Sequence, residues 1–274
     1  MKISAKDVMK LRKATNAGMM DCKHALAEAE GDFDRAIDII REKGKLVAQK
    51  RSGRDAGEGD VLAGISADKK FGTIVVLNCE TDFVAKNQGF LDLTNKFLNV
   101  AVEKQPADLE SLKAIELDGR SIGTLVTEQV GIIGEKLELS YYGQVKGEEV
   151  VGYIHPGNRL AAVVGFNKNL DDHQVGKEIA MQVAAMAPVA IDKEGVPKEV
   201  AEKELEIAKE KFRLEGKPEK MIERIAQGAL QKFFKENTLL NQSSIRDSKI
   251  TVKEYLKSID KDLKITSFIR YALD

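Results

Sequence analysis

The sequence of 274 residues has no tryptophan, only two cysteines and five prolines, and aromatic side chains make up 5% of it. Cys22 and Cys79 stand too far apart for a CxxC metal pair, and two thiols make no disulfide framework, so we read both as reduced structural thiols. No GxGxxG, Walker loop, GxSxG, HExxH or CxxC pair occurs, which leaves the common phosphate, nucleophile and metal frameworks without support. His24, His155 and His173 are scattered, with no His or Cys at ligand spacing; His24 and His173 read as surface residues. These absences argue against an enzyme and against a resident metal or cofactor. No apolar run approaches the ~20 residues of a membrane span. The opening MKISAKDVMK carries no apolar signal segment, so the expectation is a cytoplasmic protein.

Charge of either sign is not in excess. Lys and Arg number 43 against 44 Asp and Glu, a formal net charge of -1, so no global positive field draws the chain to nucleic acid. A local basic patch at Lys45, Lys50, Arg51 and Arg54 lacks the interleaved aromatics of an RNA platform. With 43% hydrophobic and 32% charged residues the composition is that of a folded globular chain, and the length suits about two domains.

Residues 4–44 read as three short helices, opened by Ser4 as an N-cap near Asp7 and broken at Gly18. Cys22, Ala25, Leu26 and Ala29 recur at helical spacing. After a Gly31-Asp32 turn, Phe33, Ala36, Ile37 and Ile40 repeat it, so the two stripes are expected to face each other. Gly44 reads as a C-terminal stop and KLVAQKRSGRDAGEGD as an exposed linker, which would make the N-terminal module a tether.

Beyond residue 60 the period changes. Residues 61–67 and 73–79 read as strands, followed by a helix at 88–102 that buries Phe90, Leu91, Leu93, Phe97 and Leu98. Strands at 149–154 and 159–166 and a helix at 172–186 repeat the order, a weak internal duplication. Pro197 and Pro218 open two charged helices whose Leu205, Ala208, Phe212 and Ile222, Ile225, Ala229, Phe233 can zip as an antiparallel hairpin around Gly216-Lys217-Pro218. Its outer face is either solvated or docked on a partner. The final segment, 265–273, alternates as a strand that could return to the second sheet.

One segment stands out, Asn78-Cys79-Glu80-Thr81-Asp82-Phe83-Val84-Ala85-Lys86-Asn87, which ends an apolar strand with acids and then offers an aromatic. Two readings compete: Asp82 caps a helix that Phe83 staples to the core, or Asp82-Phe83 is an exposed wedge for a groove on another protein.

Taken with Leu11-Arg12-Lys13-Ala14-Thr15-Asn16-Ala17-Gly18-Met19-Met20-Asp21-Cys22-Lys23-His24-Ala25-Leu26, that segment resembles the elongation factor Ts family, whose patterns LRxxTxAGMMDCKxAL and NCxTDFVAxN are nearly complete here. Ile133-Gly134-Glu135, Ile154-His155-Pro156-Gly157, residues 179–185, Gln242-Ser243-Ser244-Ile245 and Phe268-Ile269-Arg270 extend the resemblance over essentially the whole chain. It implies an α+β fold: a three-helix ubiquitin-associated-like domain with linker over residues 1–52, two related α+β core subdomains over 53–142 and 143–274, and an antiparallel coiled-coil hairpin inserted at 190–237.

The resemblance also implies a guanine-nucleotide exchange factor whose partner is elongation factor Tu, with no cofactor of its own. Thr81, Asp82, Phe83 and Val84 would form a wedge that disturbs the partner's magnesium and phosphate site. Lys23 would touch the partner's nucleotide domain, Ile133 and Gly134 would lie near the wedge, and His155, Gln242 and Ile245 would hold the other domains. Two departures from the family pattern bear on this. Many members continue past the Phe-Ile-Arg strand into a further helix whereas this sequence stops at Asp274, so that contact is expected to be missing. Ser243 and Ser244 stand where Pro-Phe-Val is frequent, which leaves the apolar anchor of that loop open. The alternative function is a ubiquitin-associated-like scaffold without exchange activity.

Overall fold

The computed structural model describes residues 3–15 and 17–273; Met1, Lys2, Asn16 and Asp274, all of which belong to segments quoted above, lie outside the described residues. The chain divides into two compact units, one of residues 1–62, 75–143 and 273–274, the other of residues 63–74 and 144–272.

The first unit begins with three helices, α1 (Ala5–Thr15), α2 (Met19–Glu28) and α3 (Phe33–Arg51). The Ser4 hydroxyl donates to Asp7 at 2.6 Å and accepts the Asp7 N–H at 3.2 Å, the expected cap. Asp32 accepts the Arg35 N–H at 3.0 Å and starts α3. The two apolar stripes meet as expected: Leu11, Cys22, Ala25 and Ala36 are fully buried together with Leu26, and Phe33, Ile37 and Ile40 pack against them. Each buried leucine contributes about 1.5–3 kcal/mol.

Gly44 does not stop α3. The helix continues to Arg51, so much of the stretch expected to be an exposed linker is two further turns of helix. Gly44 is buried where α3 crosses α7 (Ile122–Ile133), and a Cβ placed on Gly131 would stand 2.3 Å from the Gly44 Cα. A mid-helix glycine costs about 1 kcal/mol relative to alanine. Here the close approach of two backbones offsets that cost, and a glycine that looks like a terminator in sequence is a packing surface. Arg41 and Arg120 flank the crossing on the Glu128 carboxylate, Arg41 at 3.2 Å. Deleting residues 1–52 therefore strips a packed face from α7. The expected outcome is a thermal midpoint lowered by roughly 5 °C in scanning calorimetry; an unchanged midpoint would mean that α3 only tethers.

After α3 the chain runs through β1 (Glu58–Ile65), β2 (Phe71–Cys79), α4 (Asp82–Ala85), α5 (Gln88–Lys104), α6 (Leu109–Ala114), the short β3 (Glu116–Leu117) and β4 (Arg120–Ser121), α7 and β5 (Leu137–Lys146), with sheet order β1-β2-β5; residues 63–65, 71–74 and 144–146 of these strands are counted in the second unit. β2 is buried at every residue, as a central strand must be. α5 buries Phe90, Thr94, Phe97, Leu98 and Ala101, while Leu91 and Leu93 are only half-buried.

The second unit holds β6 (Glu149–Ile154), β7 (Leu160–Phe166), α8 (His173–Met186), α9 (Lys198–Leu214), α10 (Glu219–Asn237), α11 (Val252–Ile259) and β8 (Ile265–Ala272). β7 pairs antiparallel with β6, Val163 opposite Gly152, and with β8, Val163 opposite Ile269, so the last strand does return to this sheet. Val164, Phe166, Ile179, Val183, Leu256 and Ile265 form its core. Both sheets place the second strand of a sequential pair in the middle, follow it with a helix, and take their third strand from later in the chain. The fold is α+β, as the sequence implied.

The hairpin of α9 and α10 buries one seam, with Ile222 and Ala226 buried, Leu205, Ala208, Phe212, Ile225, Ala229 and Phe233 half-buried, and Lys209 crossing to Glu223 at 2.9 Å. Among the described residues no helix is long and apolar enough to cross a membrane, and no His, Cys, Asp and Glu group could hold a metal ion.

Candidate functional site

The buried strand β2 delivers the chain to Glu80 and Thr81 at its end. Thr81, not Asp82, caps α4, accepting the Val84 N–H at 3.4 Å. Its own N–H and hydroxyl both donate to the Glu135 carboxylate, at 3.1 and 2.8 Å. Glu135 reaches that position because Gly134 closes α7 in the left-handed region, at φ +79°, where a Cβ would be strained. Residues 133–135 and 81–84, distant in sequence, are thus brought together.

Phe83 is the second residue of α4 and is 83% exposed. The core-staple reading is therefore wrong: Phe90, at 1% exposure, is the aromatic that anchors the following helix. Asp82 pairs with Lys86 at 2.6 Å, and that hydrogen bond holds its carboxyl below the usual carboxylate range. Both partners are exposed, so the pair adds little stability. Asn87 caps α5 by accepting the Gly89 N–H at 2.9 Å. Two successive caps and the Glu135 grip turn four residues into a stiff stub with an apolar ring at its tip.

Glu80 is a residue to which the sequence pattern assigns no role. Its carboxylate accepts the Lys136 N–H at 2.6 Å, Arg51 at 2.8 Å and Arg54 at 3.1 Å. The Lys136 amide, then the two guanidiniums, hold its carboxyl down at about 2, against an ordinary 4.5. A carboxyl lowered in the folded state stabilises the fold above its unfolded value, and that contribution is lost as pH falls from about 4.5 to about 2. Urea unfolding between pH 5 and pH 2 should accordingly show a shallower acid loss for Glu80→Gln than for the natural chain; equal slopes would remove Glu80 from the acid transition. The signal for this residue is in the sequence, an acid at a strand end and basic residues just past the expected helix. Because Arg51 and Arg54 are committed to Glu80, the basic patch around them is partly neutralised.

The remaining expected residues are spread out. Lys23 is exposed on α2, with Met20 nearby at 58%. His155 is exposed at the turn after β6, its Nδ1 2.9 Å from the Tyr153 hydroxyl. Gln242 departs from the expectation of a surface contact: it is 2% exposed, its amide donating to the Met186 and Glu236 carbonyls at 3.2 and 3.0 Å and accepting from Gln182 at 3.1 Å. Its side chain braces the loop that presents Ile245, which is 43% exposed and whose N–H donates to Gln182 at 2.7 Å.

Neither cysteine is poised for covalent chemistry. Both cysteines are free and buried, and burial pushes the Cys79 thiol up to about 12, which removes the thiolate a nucleophile needs. What the site offers is a rigid exposed aromatic beside an acid.

A family model described as Elongation factor TS matches residues 80–274. The chain is 51% identical over 276 residues to Elongation factor Ts of Porphyromonas gingivalis, spanning 100% of this chain and 99% of that one. It is 47% identical over 274 residues to Elongation factor Ts of Azobacteroides pseudotrichonymphae, with 100% and 99% covered. Against Elongation factor Ts of Amoebophilus asiaticus it is 50% identical over 272 residues, with 98% of each covered.

Proposed function

The chain belongs to the elongation factor Ts family, and from that membership we propose that it binds elongation factor Tu in the cytoplasm and speeds the release of GDP during translation elongation. The observation that carries this reading is Phe83, a large apolar ring left 83% in solvent on a stub fixed by its neighbours. A groove on a partner would take the apolar area of that ring out of water.

In this reading Phe83 enters an apolar crevice of the partner's nucleotide domain while Asp82 brings negative charge toward the magnesium and phosphates, weakening their mutual hold. Thr81 and Val84 shape the base of the wedge, with Ile133 and Gly134 beside it. Lys23 adds a contact from residues 1–52, and His155 and Ile245, on residues 143–274, hold the partner's other domains, with Gln242 in support. The reaction needs no acid, base or nucleophile, only tighter binding to the empty partner than to the GDP-bound one.

Such a preference is reciprocal: the factor by which the chain weakens GDP equals the factor by which GDP weakens the chain, each tenfold being about 1.4 kcal/mol. Titration calorimetry of the chain against nucleotide-free and GDP-loaded elongation factor Tu measures it. The expected result is binding at least about tenfold tighter to the empty form. Equal affinities would leave a scaffold and no exchange factor.

A further inference from the structure

We propose that Glu80 is the positioning residue of the wedge, and that through Arg51 it makes the N-terminal helices set the direction in which Phe83 points. The proposal rests on the exchange reading above. Glu80 stands immediately before Thr81, and the two are held by consecutive residues beyond α7: Glu135 takes the Thr81 N–H and hydroxyl, and the Lys136 N–H donates to Glu80. A single grip would leave the stub free to swivel about the bonded residue. Two adjacent grips fix a direction as well as a position.

The Glu80 carboxylate carries this fixation outward. Arg51, the last residue of α3, donates to one oxygen and Arg54 to the other, and the Lys136 Nζ donates to the Arg54 carbonyl at 3.0 Å, closing the ring. The ends of β2, α3 and α7 therefore converge on one carboxylate whose side chain is only 13% exposed. Charge-assisted hydrogen bonds of this kind are shorter and stronger than neutral ones. α3 is itself seated on α7 at the Gly44–Gly131 crossing, so its end is not free to drift. An apolar ring delivers its binding energy to a partner's transition only if the ordering cost has been met beforehand, which is what such a framework provides.

The test uses the full chain with Glu80→Gln, Arg51→Met and the double variant. Release of a fluorescent GDP from elongation factor Tu is followed at rising concentrations of each. Glu80→Gln is expected to lower the maximal stimulated rate about tenfold, equivalent to about 1.4 kcal/mol. Its half-saturating concentration should stay within about twofold, because the surrounding contact surface is intact. Arg51→Met, at a partly exposed position, should give the same split in smaller measure, and the double variant should lose less than the product of the two single losses. If the natural chain accelerates release and Glu80→Gln and Arg51→Met both keep its maximal rate, showing only lowered melting points, Glu80 is a structural residue and the proposal is overturned. Independent, multiplying losses in the double variant would overturn the link from α3. A natural chain that fails to accelerate release would instead remove the exchange reading itself.

Discussion

Replacing Phe83 by alanine is expected to slow stimulated GDP release by about 30-fold or more, the consequence of losing a hot-spot aromatic worth about 2 kcal/mol or more at an interface. The melting point of the chain should stay where it is, because the ring is 83% exposed and deleting it opens no cavity. Phe97→Ala supplies the contrast: that ring is fully buried, and its removal should cost about 3–5 kcal/mol of stability. Asp82→Ala separates charge from bulk, since it removes the carboxylate beside the ring without touching apolar area. A Phe83→Ala chain that releases GDP at the natural rate, or that melts well below the natural chain, would remove the exposed-wedge account.

The second large effect is expected at the crossing of α3 and α7. Gly131→Val would put side-chain carbons where the Gly44 backbone already stands, a Cβ alone lying 2.3 Å from the Gly44 Cα. Backbone cannot step aside as a flexible side chain can, so the helices must separate. The loss should reach about 3 kcal/mol, the upper part of the range for overpacked cores. Chemical unfolding measures it, with Gly228→Val as the control: that glycine lies on α10, a Cβ added to it would meet nothing within 4 Å, and only helix propensity should change there. A Gly131→Val chain as stable as the natural one would show that the two helices are not in close contact.

These two sites also mark where the sequence is legible and where it is not. The hairpin, β6, β7, α8 and the returning β8 carry strong periodicity between clear breakers, and the structure has them within a residue or two. Gly44 misleads because a glycine that lets two helices touch and one that ends a helix are the same letter; only the residue across the interface distinguishes them. α6, α7, β5 and α11 are not anticipated by the sequence pattern. In α7 apolar residues crowd around glycines and threonines, so neither period dominates, and α11 is a short helix whose Thr251–Glu254 capping box is the available signal.

Of the candidate site, the resemblance brings forward the stretch that follows β2, and the nearness of residues 133–135 to 81–84 has a physical basis in the Glu135 grip. Spacing alone cannot decide whether Phe83 faces in or out, since a staple and a wedge share one pattern; exposure decides it. Gln242 is expected at the partner surface because the resemblance implies a contact there, and its burial becomes visible only with the carbonyls that it satisfies. Glu80 escapes a reading of spacing because its partners, Arg51 with Arg54 and the Lys136 amide, come from two parts of the chain that lie far from it in sequence.

The most direct test of the account is the rate at which a fluorescent GDP leaves elongation factor Tu after mixing with excess unlabelled nucleotide and rising concentrations of the natural chain. The expected result is a saturable acceleration; a rate that stays at the intrinsic value at every concentration would contradict it.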